Sequence, residues 1–99
     1  MAFKYILLED AQIDYEESLQ WYAVRSAPVT VNFIKAVDAA LHLICANPKR
    51  WRNKYKNYHE LGLKKYPFSI IYIIDAEKEL VVVTSVYHHK RNPKKRYKK

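Results

Sequence analysis

Two long apolar runs in the second half of the chain constrain its fold more than any other feature. They are FSIIYII, at residues 68–74, and LVVVTSVY, at residues 80–87. Runs so rich in β-branched and aromatic residues are typical of central strands that are covered on both faces, or on one face with a partner on the other. The five residues between them, DAEKE, are polar except for one alanine and predict a hairpin loop. The runs therefore predict the centre of an antiparallel sheet.

The first half of the chain is expected to supply one strand and two helices. Residues 3–8 predict a short strand, and Asp10 predicts the cap of a first helix. A second helix begins near Pro28 or Thr30 and ends at Asn47-Pro48. The buried face of the first helix is predicted at Ala11, Tyr15, Leu19 (or Ser18) and Tyr22. That of the second is predicted at Phe33, Val37, Ala40, Leu41 and Ile44, with Ile34 and Leu43 widening it.

A loop and one more strand are predicted between the second helix and the central runs. Residues 49–57 are basic and aromatic without a period, as in a loop. Leu61, Leu63 and Lys65 alternate with Gly62, Lys64 and Tyr66 and predict a strand before Pro67. The order is strand, helix, helix and three antiparallel strands. We therefore expect an α+β domain whose N-terminal helical hairpin packs on one face of a twisted antiparallel sheet.

Length and composition favour a single domain spanning residues 1–99. A chain of 99 residues buries roughly two-thirds of its unfolded surface and needs no disulfide or metal to hold a core. The single cysteine, Cys45, excludes an internal disulfide and fits a reducing compartment. The apolar run at the N-terminus is too short for a signal peptide, and no other segment approaches twenty apolar residues. We expect a cytoplasmic protein without membrane contact.

The net charge of +8 is divided unevenly along the chain. Residues 1–46 carry three bases and six acids, whereas residues 47–99 carry fifteen bases and four acids, a net charge of +11. Residues 89–99 alone hold seven bases and no acid, and we expect them to form a basic C-terminal tail. Such self-repulsion opposes compaction, so the basic half indicates an anionic partner more than a merely solvated face.

Metal and cofactor chemistry find little support in the residue pattern. A strand would direct His88 and His89 to opposite faces, which makes them poor joint ligands. The chain has one glycine, so a glycine-rich phosphate loop is excluded. We expect no metal, no cofactor and no small-molecule substrate.

A cluster at the end of the last predicted strand is the candidate site. Metal-independent cleavage of RNA needs a base, an acid and a cation that stabilises the charged phosphorane-like state. The candidate catalytic residues are Tyr87, His88, Arg91 and Lys64. The candidate substrate- or partner-binding residues are Arg50, Arg52, Lys54, Lys65, His89, Lys90, Lys94 and Arg96. The alternative is that these residues only bind phosphates or an acidic protein helix.

Several segments together resemble a known family. They are the first-helix pattern from Ala11 through Asp14-Tyr15 to Tyr22, the second helix with Phe33, Leu41 and Asn47-Pro48, the segment LKKYPFSIIYIID, and VYHHKRNP followed by Tyr97. In this order and spacing, the chain is similar to the RelE/ParE superfamily of toxins from bacterial type II toxin–antitoxin systems, often labelled plasmid stabilisation proteins.

The resemblance implies an antitoxin whose acidic, partly disordered segment folds over the basic groove. It also implies one of two targets, since RelE-like members cut messenger RNA in the ribosomal A site and ParE-like members act on DNA gyrase. One departure bears on this choice, because His59-Glu60 stands where many relatives carry an arginine.

Three functions remain open on the sequence. The first is a toxin that cleaves ribosome-bound messenger RNA, and the second is a toxin that inhibits gyrase without enzymatic turnover. The third is a small non-catalytic RNA-binding module, for which affinity would fall steeply with salt and overexpression would be harmless.

Overall fold

The computed structural model describes residues 3–90, apart from the side chain of Lys54. The chain begins with β1 (Lys4–Leu7), α1 (Glu9–Ala23) and α2 (Ala27–Ala46). A short 3₁₀ turn (Pro48–Arg50) leads to β2 (Asn53–Tyr55), β3 (Tyr58–Gly62), β4 (Phe68–Asp75) and β5 (Leu80–His88). The predicted basic tail lies outside the described residues from position 91 onward.

The five strands form one mixed sheet in the order β1-β5-β4-β3-β2. Neighbouring strands are antiparallel except β1, which runs parallel to β5 at the sheet edge. The main core lies between this sheet and the two helices, which are joined by only three residues. The predicted α+β class, with a helical hairpin on one face of the sheet, is confirmed.

A β-bulge divides β5 into two parts with opposite side-chain alternation. Ile71 of β4 pairs with Ser85 and Tyr72 pairs with Val83, so Thr84 is the extra residue. Its hydroxyl donates to the Ile71 carbonyl at 3.2 Å. Val81 and Val83 face the helical core before the bulge, and Val86 faces it afterwards. A bulge shifts the alternation by one residue, so each side chain beyond Thr84 faces the side opposite to that expected from a regular strand.

Both helices lie where they were predicted, but the residues that begin them differ from the prediction. Ser26 is the N-cap of α2, and its Oγ accepts from the Val29 amide at 3.3 Å. Asp10 is not a cap, because the N-cap of α1 is Leu8 and its side chain forms no capping bond. The Leu8 amide instead donates to the Val83 carbonyl, so strand pairing sets where α1 begins.

The buried faces of the helices agree with the predicted spacing. Ala11 and Ser18 are buried in α1, and the predicted stripe of α2 is buried throughout. Ile34 and Leu43 were predicted to widen that stripe, but they are 41% and 53% exposed. By length and composition α2 is the one helix among residues 3–90 that resembles a membrane span, and core helices of soluble proteins pass the same test. Here its buried stripe packs on the sheet.

The segment before the central strands differs from the prediction in two ways. The expected loop at residues 49–57 contains the 3₁₀ turn and the short β2. The strand expected around Leu61 to Lys65 lies earlier, at Tyr58–Gly62, so Lys64 and Lys65 occupy a bend. The alternation of side chains from Leu61 to Lys65 does not reveal where the strand ends. Its end is set by its pairing with β4, which stops at Gly62 and Ser69. With glycine scarce, Lys56 and Glu79 take the positive φ values at the hairpin turns.

Two hydrogen bonds attach the segment after α2 to the sheet. The Tyr72 hydroxyl, fully buried in β4, donates to the Pro48 carbonyl at 2.6 Å. Nδ1 of His59 donates to the Trp51 carbonyl at 2.8 Å, and its ring stacks on Tyr72. Burial raises the pKa of the Tyr72 hydroxyl above its ordinary value, with Cys45 adding to the rise.

The Asp14 carboxylate forms hydrogen bonds with the part of β5 that does not pair with β1. β1 ends opposite Val83, so the amide of Val86 has no neighbouring strand on that side. Asp14 Oδ2 on α1 accepts from the Val86 amide at 3.3 Å and from the Ser85 hydroxyl at 3.1 Å. The carboxylate therefore ties α1 to the part of β5 beyond the bulge.

We predict that Asp14→Ala lowers the free energy of unfolding by about 1–3 kcal/mol, because it leaves a half-buried amide and hydroxyl without this acceptor. The matched control is Asp38→Ala, whose carboxylate is exposed beside His42 and should change stability by less than about 0.5 kcal/mol. Urea unfolding followed by circular dichroism measures both. Equal losses in the two variants would contradict the role of Asp14.

We predict that Tyr72→Phe costs about 1–3 kcal/mol at neutral pH, because the buried Pro48 carbonyl loses its donor. The raised pKa adds a pH dependence. The neutral hydroxyl is favoured in the folded state, so its contribution is complete below a pH of about 10 and is lost as the pH rises above that value. Stability curves between neutral and strongly alkaline pH should therefore fall less steeply for Tyr72→Phe than for the wild type. The control Tyr5→Phe, at a residue 40% exposed, should be nearly neutral at pH 7.

Candidate functional site

Tyr87 and His88 are candidate catalytic residues that are adjacent in sequence, and they face opposite sides of the sheet as neighbours in any strand do. The bulge decides which side each of them faces. His88 pairs with Phe68 on the helical side of the sheet, and the two rings meet edge to face at 4.8 Å. Tyr87 pairs with Ser69 and belongs to a small apolar cluster on the other face. The sheet therefore lies between the imidazole of His88 and the phenol of Tyr87.

His88 lies in a groove beside the C-terminal half of α1, here called the His88 groove. Its volume is about 690 Å³, and its lining includes Glu17, Trp21, Tyr22, Phe68, His88 and Lys90. The Lys90 amide donates to His88 Nδ1 at 3.1 Å, so a neutral imidazole carries its proton on Nε2. Trp21 is 54% exposed and has the Arg25 guanidinium 3.8 Å above its ring. Burial, and then Tyr66, raise the pKa of Tyr22.

The face of the sheet that carries Tyr87 is closed at its centre. Tyr58, Ile71 and Tyr87 form an apolar cluster there, and all three are buried. Glu60 pairs with Ile71, which places a carboxylate on this face. Near its end, Ser69 Oγ and His89 Nε2 are hydrogen-bonded at 2.9 Å.

A second concave surface, the α2–β3 cleft, runs between α2 and the chain from β3 into the following bend. Its volume is about 880 Å³. Three candidate binding or catalytic residues meet there, namely Arg50, Lys64 and Lys65. Lys35 of α2 joins them, although the sequence did not single it out. It was missed because it is the only lysine or arginine on α2, and no local pattern relates it to bases that lie fifteen to thirty residues further along the chain.

The remaining predicted residues do not join these two surfaces in the described part of the chain. Arg52 is exposed next to β2, and His89 is exposed beside Ser69. Lys54 is in β2, but its side chain lies outside the described residues, as do Arg91, Lys94 and Arg96 entirely. Within residues 3–90, Tyr87, His88 and Lys64 thus occupy three separate environments.

Chemically, the two concave surfaces are suited to binding. Among residues 3–90, no group of three or more His, Cys, Asp or Glu side chains is placed to hold a metal ion.

Trp21 was not a candidate residue on the sequence, because it lies outside the predicted buried stripe of α1. An exposed aromatic ring with a stacked guanidinium is a common contact in recognition surfaces, and its position beside His88 is a consequence of the tertiary structure.

Comparisons with solved structures agree with this fold. A structure described as the chromosomal ParDE system from P. aeruginosa matches with a TM-score of 0.73 at 11% identity, covering 88% of this chain and 96% of that one. The RelBE2 complex from Mycobacterium tuberculosis matches with a TM-score of 0.60 at 16% identity, covering 89% and 92%. The intact E. coli RelBE toxin–antitoxin complex matches at 0.62 and 17%, covering 91% and 100%.

The family is established by sequence. A search of curated proteins found no significant match to the chain. A family profile described as the ParE toxin of the type II toxin–antitoxin system, parDE, matches residues 5–93, nearly the whole chain. The chain is therefore a member of the ParE toxin family of type II toxin–antitoxin systems.

Proposed function

We propose that this protein is a growth-inhibiting toxin that binds DNA gyrase without enzymatic turnover. We further propose that it acts in the cytoplasm and is neutralised by a cognate acidic antitoxin. The matching structures include toxin–antitoxin complexes by their descriptions, which supports an antitoxin partner here. The choice of gyrase over ribosome-bound messenger RNA depends on the candidate site.

One observation carries that choice, namely the opposite orientation of Tyr87 and His88. Cleavage of RNA needs its acid, base and cation within hydrogen-bonding reach of a single phosphodiester. Tyr87 and His88 lie on opposite faces of the sheet, and Lys64 is in the bend after β3. Tyr87 is also buried, at 2% exposure of the whole residue. These three residues do not converge on one substrate.

The charge on the Tyr87 face argues in the same direction. Glu60 and Ile71 are paired, so the Glu60 carboxylate lies on the face of the apolar cluster that includes Tyr87. A carboxylate at this position repels a phosphate group. The His88 groove is also lined by a carboxylate, that of Glu17, together with a half-buried imidazole, an exposed indole and Lys90. Its aromatic residues suit a protein surface, because aromatic anchors carry much of the binding energy at protein interfaces.

We predict that the purified protein inhibits negative supercoiling by gyrase at micromolar concentration or traps cleaved DNA. His88→Ala and Lys90→Ala should each raise the concentration for half-inhibition by roughly tenfold, because they remove contacts in the proposed binding groove. Tyr87→Phe removes only a hydroxyl and should keep both inhibition and growth arrest within about threefold. A catalytic phenol would instead cost about 10²–10⁴ in rate.

Two other outcomes would replace this proposal. Codon-phased breaks in transcripts from expressing cells, with loss of both breaks and toxicity in Tyr87→Phe, would assign the protein to messenger RNA cleavage. Harmless overexpression, together with RNA binding that weakens steeply with salt, would indicate the RNA-binding module instead. Circular dichroism of each variant separates these results from loss of folding.

A further inference from the structure

The two edges of the sheet differ in how they are protected against pairing with another strand. At one edge, β2 has three residues, and its pairing with β3 shifts register between Asn53 and Tyr55. Three bases, Arg52, Lys54 and Lys56, stand in β2 or next to it. A short, irregular and basic strand is a usual defence of an exposed edge. At the other edge, β1 pairs regularly with β5 over its whole length and contains neither a bulge nor a proline. The β1 edge is therefore better suited to the addition of another strand.

Two residues of β1 direct their backbone groups toward the open side of this edge. The amides of Lys4 and Leu8 donate to carbonyls of β5 and of the residue before it, so residues 4, 6 and 8 face β5. Backbone groups alternate in direction along a strand, so the amides and carbonyls of Tyr5 and Leu7 point away from β5. Within residues 3–90, no strand lies beyond β1. The edge therefore offers both donors and acceptors to a further strand.

Apolar side chains accompany this backbone edge. Ile6 pairs with Val82, and Val82 pairs with Ile73, so the three form a row on the face opposite the helices. At its inner end the row meets the buried apolar cluster of that face, against which Ile73 packs. At the edge it ends on Ile6, which is 45% exposed, and Tyr5 on the helical face is 40% exposed. An apolar row that reaches an unprotected strand edge indicates an interaction surface.

The edge is complementary to a second copy of itself. In a two-fold antiparallel pair of β1 strands centred on Ile6, Tyr5 of each copy lies opposite Leu7 of the other. Because both residues point their backbone groups outward, each such pair exchanges both of its hydrogen bonds. A register centred on Tyr5 would need Phe3, whose amide is already bonded to the end of α2. One centred on Leu7 would need Glu9, which is in α1. The register centred on Ile6 therefore satisfies the edge best.

The charges at the ends of β1 match the same arrangement. The strand begins with Lys4, and Glu9 and Asp10 follow its end. Pairing centred on Ile6 brings Lys4 opposite Leu8 of the second copy, one residue before Glu9 of that copy. All three charged residues are exposed. The two-fold axis repeats this contact at the other end of the paired strands, and opposite charges across paired strands favour one register.

We propose that the protein forms a two-fold dimer through its β1 edge, which joins the two five-stranded sheets into one continuous sheet. The axis is perpendicular to the sheet, so the helices of both copies lie on the same face. On the opposite face, the apolar row of one copy continues through Ile6 into that of the other. Neither the His88 groove nor the α2–β3 cleft is lined by a residue of β1. The inference is therefore independent of the proposed function.

A second copy fits this edge better than the basic end of the same chain. Residues 91–99 carry six bases and no aliphatic residue, so they would supply nothing to cover Ile6 and would repel Lys4. A second copy supplies an isoleucine for Ile6 and a carboxylate for Lys4. Both requirements come from one segment, residues 4–10.

Cross-linking of the full-length protein tests the register directly. In a Cys45→Ala background, Ile6→Cys puts two thiols on Cα atoms about 4.5 Å apart across the axis, a distance that a disulfide spans. The matched control is Tyr5→Cys, at a neighbour of similar exposure. Its two copies are diagonal neighbours roughly 7–8 Å apart, which is beyond that span. With oxidised glutathione as the oxidant, we expect at least about tenfold more covalent dimer from Ile6→Cys than from Tyr5→Cys.

Sedimentation equilibrium tests the dimer without cross-linking. The average mass of the wild type should rise toward twice that of one chain as the concentration is raised. Ile6→Lys sets two ammonium groups against each other and should raise the dissociation constant of the dimer by about tenfold or more. The control Ile34→Lys makes the same change at an α2 residue that is 41% exposed, and should alter it by less than about threefold.

A charge exchange tests the contact at the ends of the strands. Lys4→Glu and Glu9→Lys should each weaken the dimer by about threefold or more, because each sets like charges side by side. The double variant restores opposite charges and should recover most of the loss. Circular dichroism and thermal unfolding of every variant separate a lost interface from a lost fold.

Three results would overturn the dimer. The first is a wild-type protein that stays a monomer at all concentrations, with equal cross-linking of Ile6→Cys and Tyr5→Cys. The second is a dimer that Ile6→Lys leaves intact, which would place the interface elsewhere. The third is a monomer in which Ile6→Lys instead weakens binding of the acidic chain encoded beside its gene, which would assign the edge to a strand of another protein. Gyrase inhibition is measured separately and is not decided by any of them.

Discussion

The pairing of β4 with β5, interrupted by the bulge at Thr84, is the constraint on which the rest of the structure depends. Before the bulge, β5 also holds β1 through the pairs from Leu80 to Val83. Beyond it, β5 leaves β1 and packs its outer edge against α1. An extra residue in one strand increases local twist and reverses which side chains face the core. The same residue thus decides the edge of the sheet, the position of α1 and the orientation of the site.

The helical hairpin is held to β5 by hydrogen bonds as well as by apolar contacts. The carboxylate of Asp14 accepts from Ser85 and Val86, and the main core fills the space between α1, α2 and the sheet. On the other side of α2, Tyr72 and His59 hold the chain around Pro48 and Trp51 against the sheet. That attachment brings Arg50 to the same cleft as the lysines of the β3–β4 bend.

The basic half of the chain thereby acquires two surfaces with different chemistry. The His88 groove is aromatic and lies at the C-terminal half of α1, whereas the α2–β3 cleft is aliphatic with a basic rim. The described bases of residues 47–99 therefore contribute to two separate surfaces and do not form one continuous patch.

Much of the fold could be predicted from local pattern, because burial imposes a period on each regular element. The stripe from Phe33 to Ile44 and the two apolar runs are of this kind. The errors fall where long-range pairing overrides local preference. Leu8 starts α1 because its amide bonds to Val83, and β3 lies earlier than its alternation implies because β4 sets the register. The exposure of Leu43 was unpredictable, since periodicity places it beside a buried stripe without saying how far the sheet extends over it.

By itself, the sequence determined the α+β class, the helical hairpin, the central strands and the family to which the chain belongs. The tertiary structure alone decided which candidate residues meet. A regular strand would turn Tyr87 toward the helices and His88 away from them, and the bulge at Thr84 exchanges the two. Likewise, Lys35, Arg50, Lys64 and Lys65 are brought together by the packing of α2 beside β3. No local pattern encodes either result, because a bulge and a cleft are properties of how two segments fit and not of either segment alone.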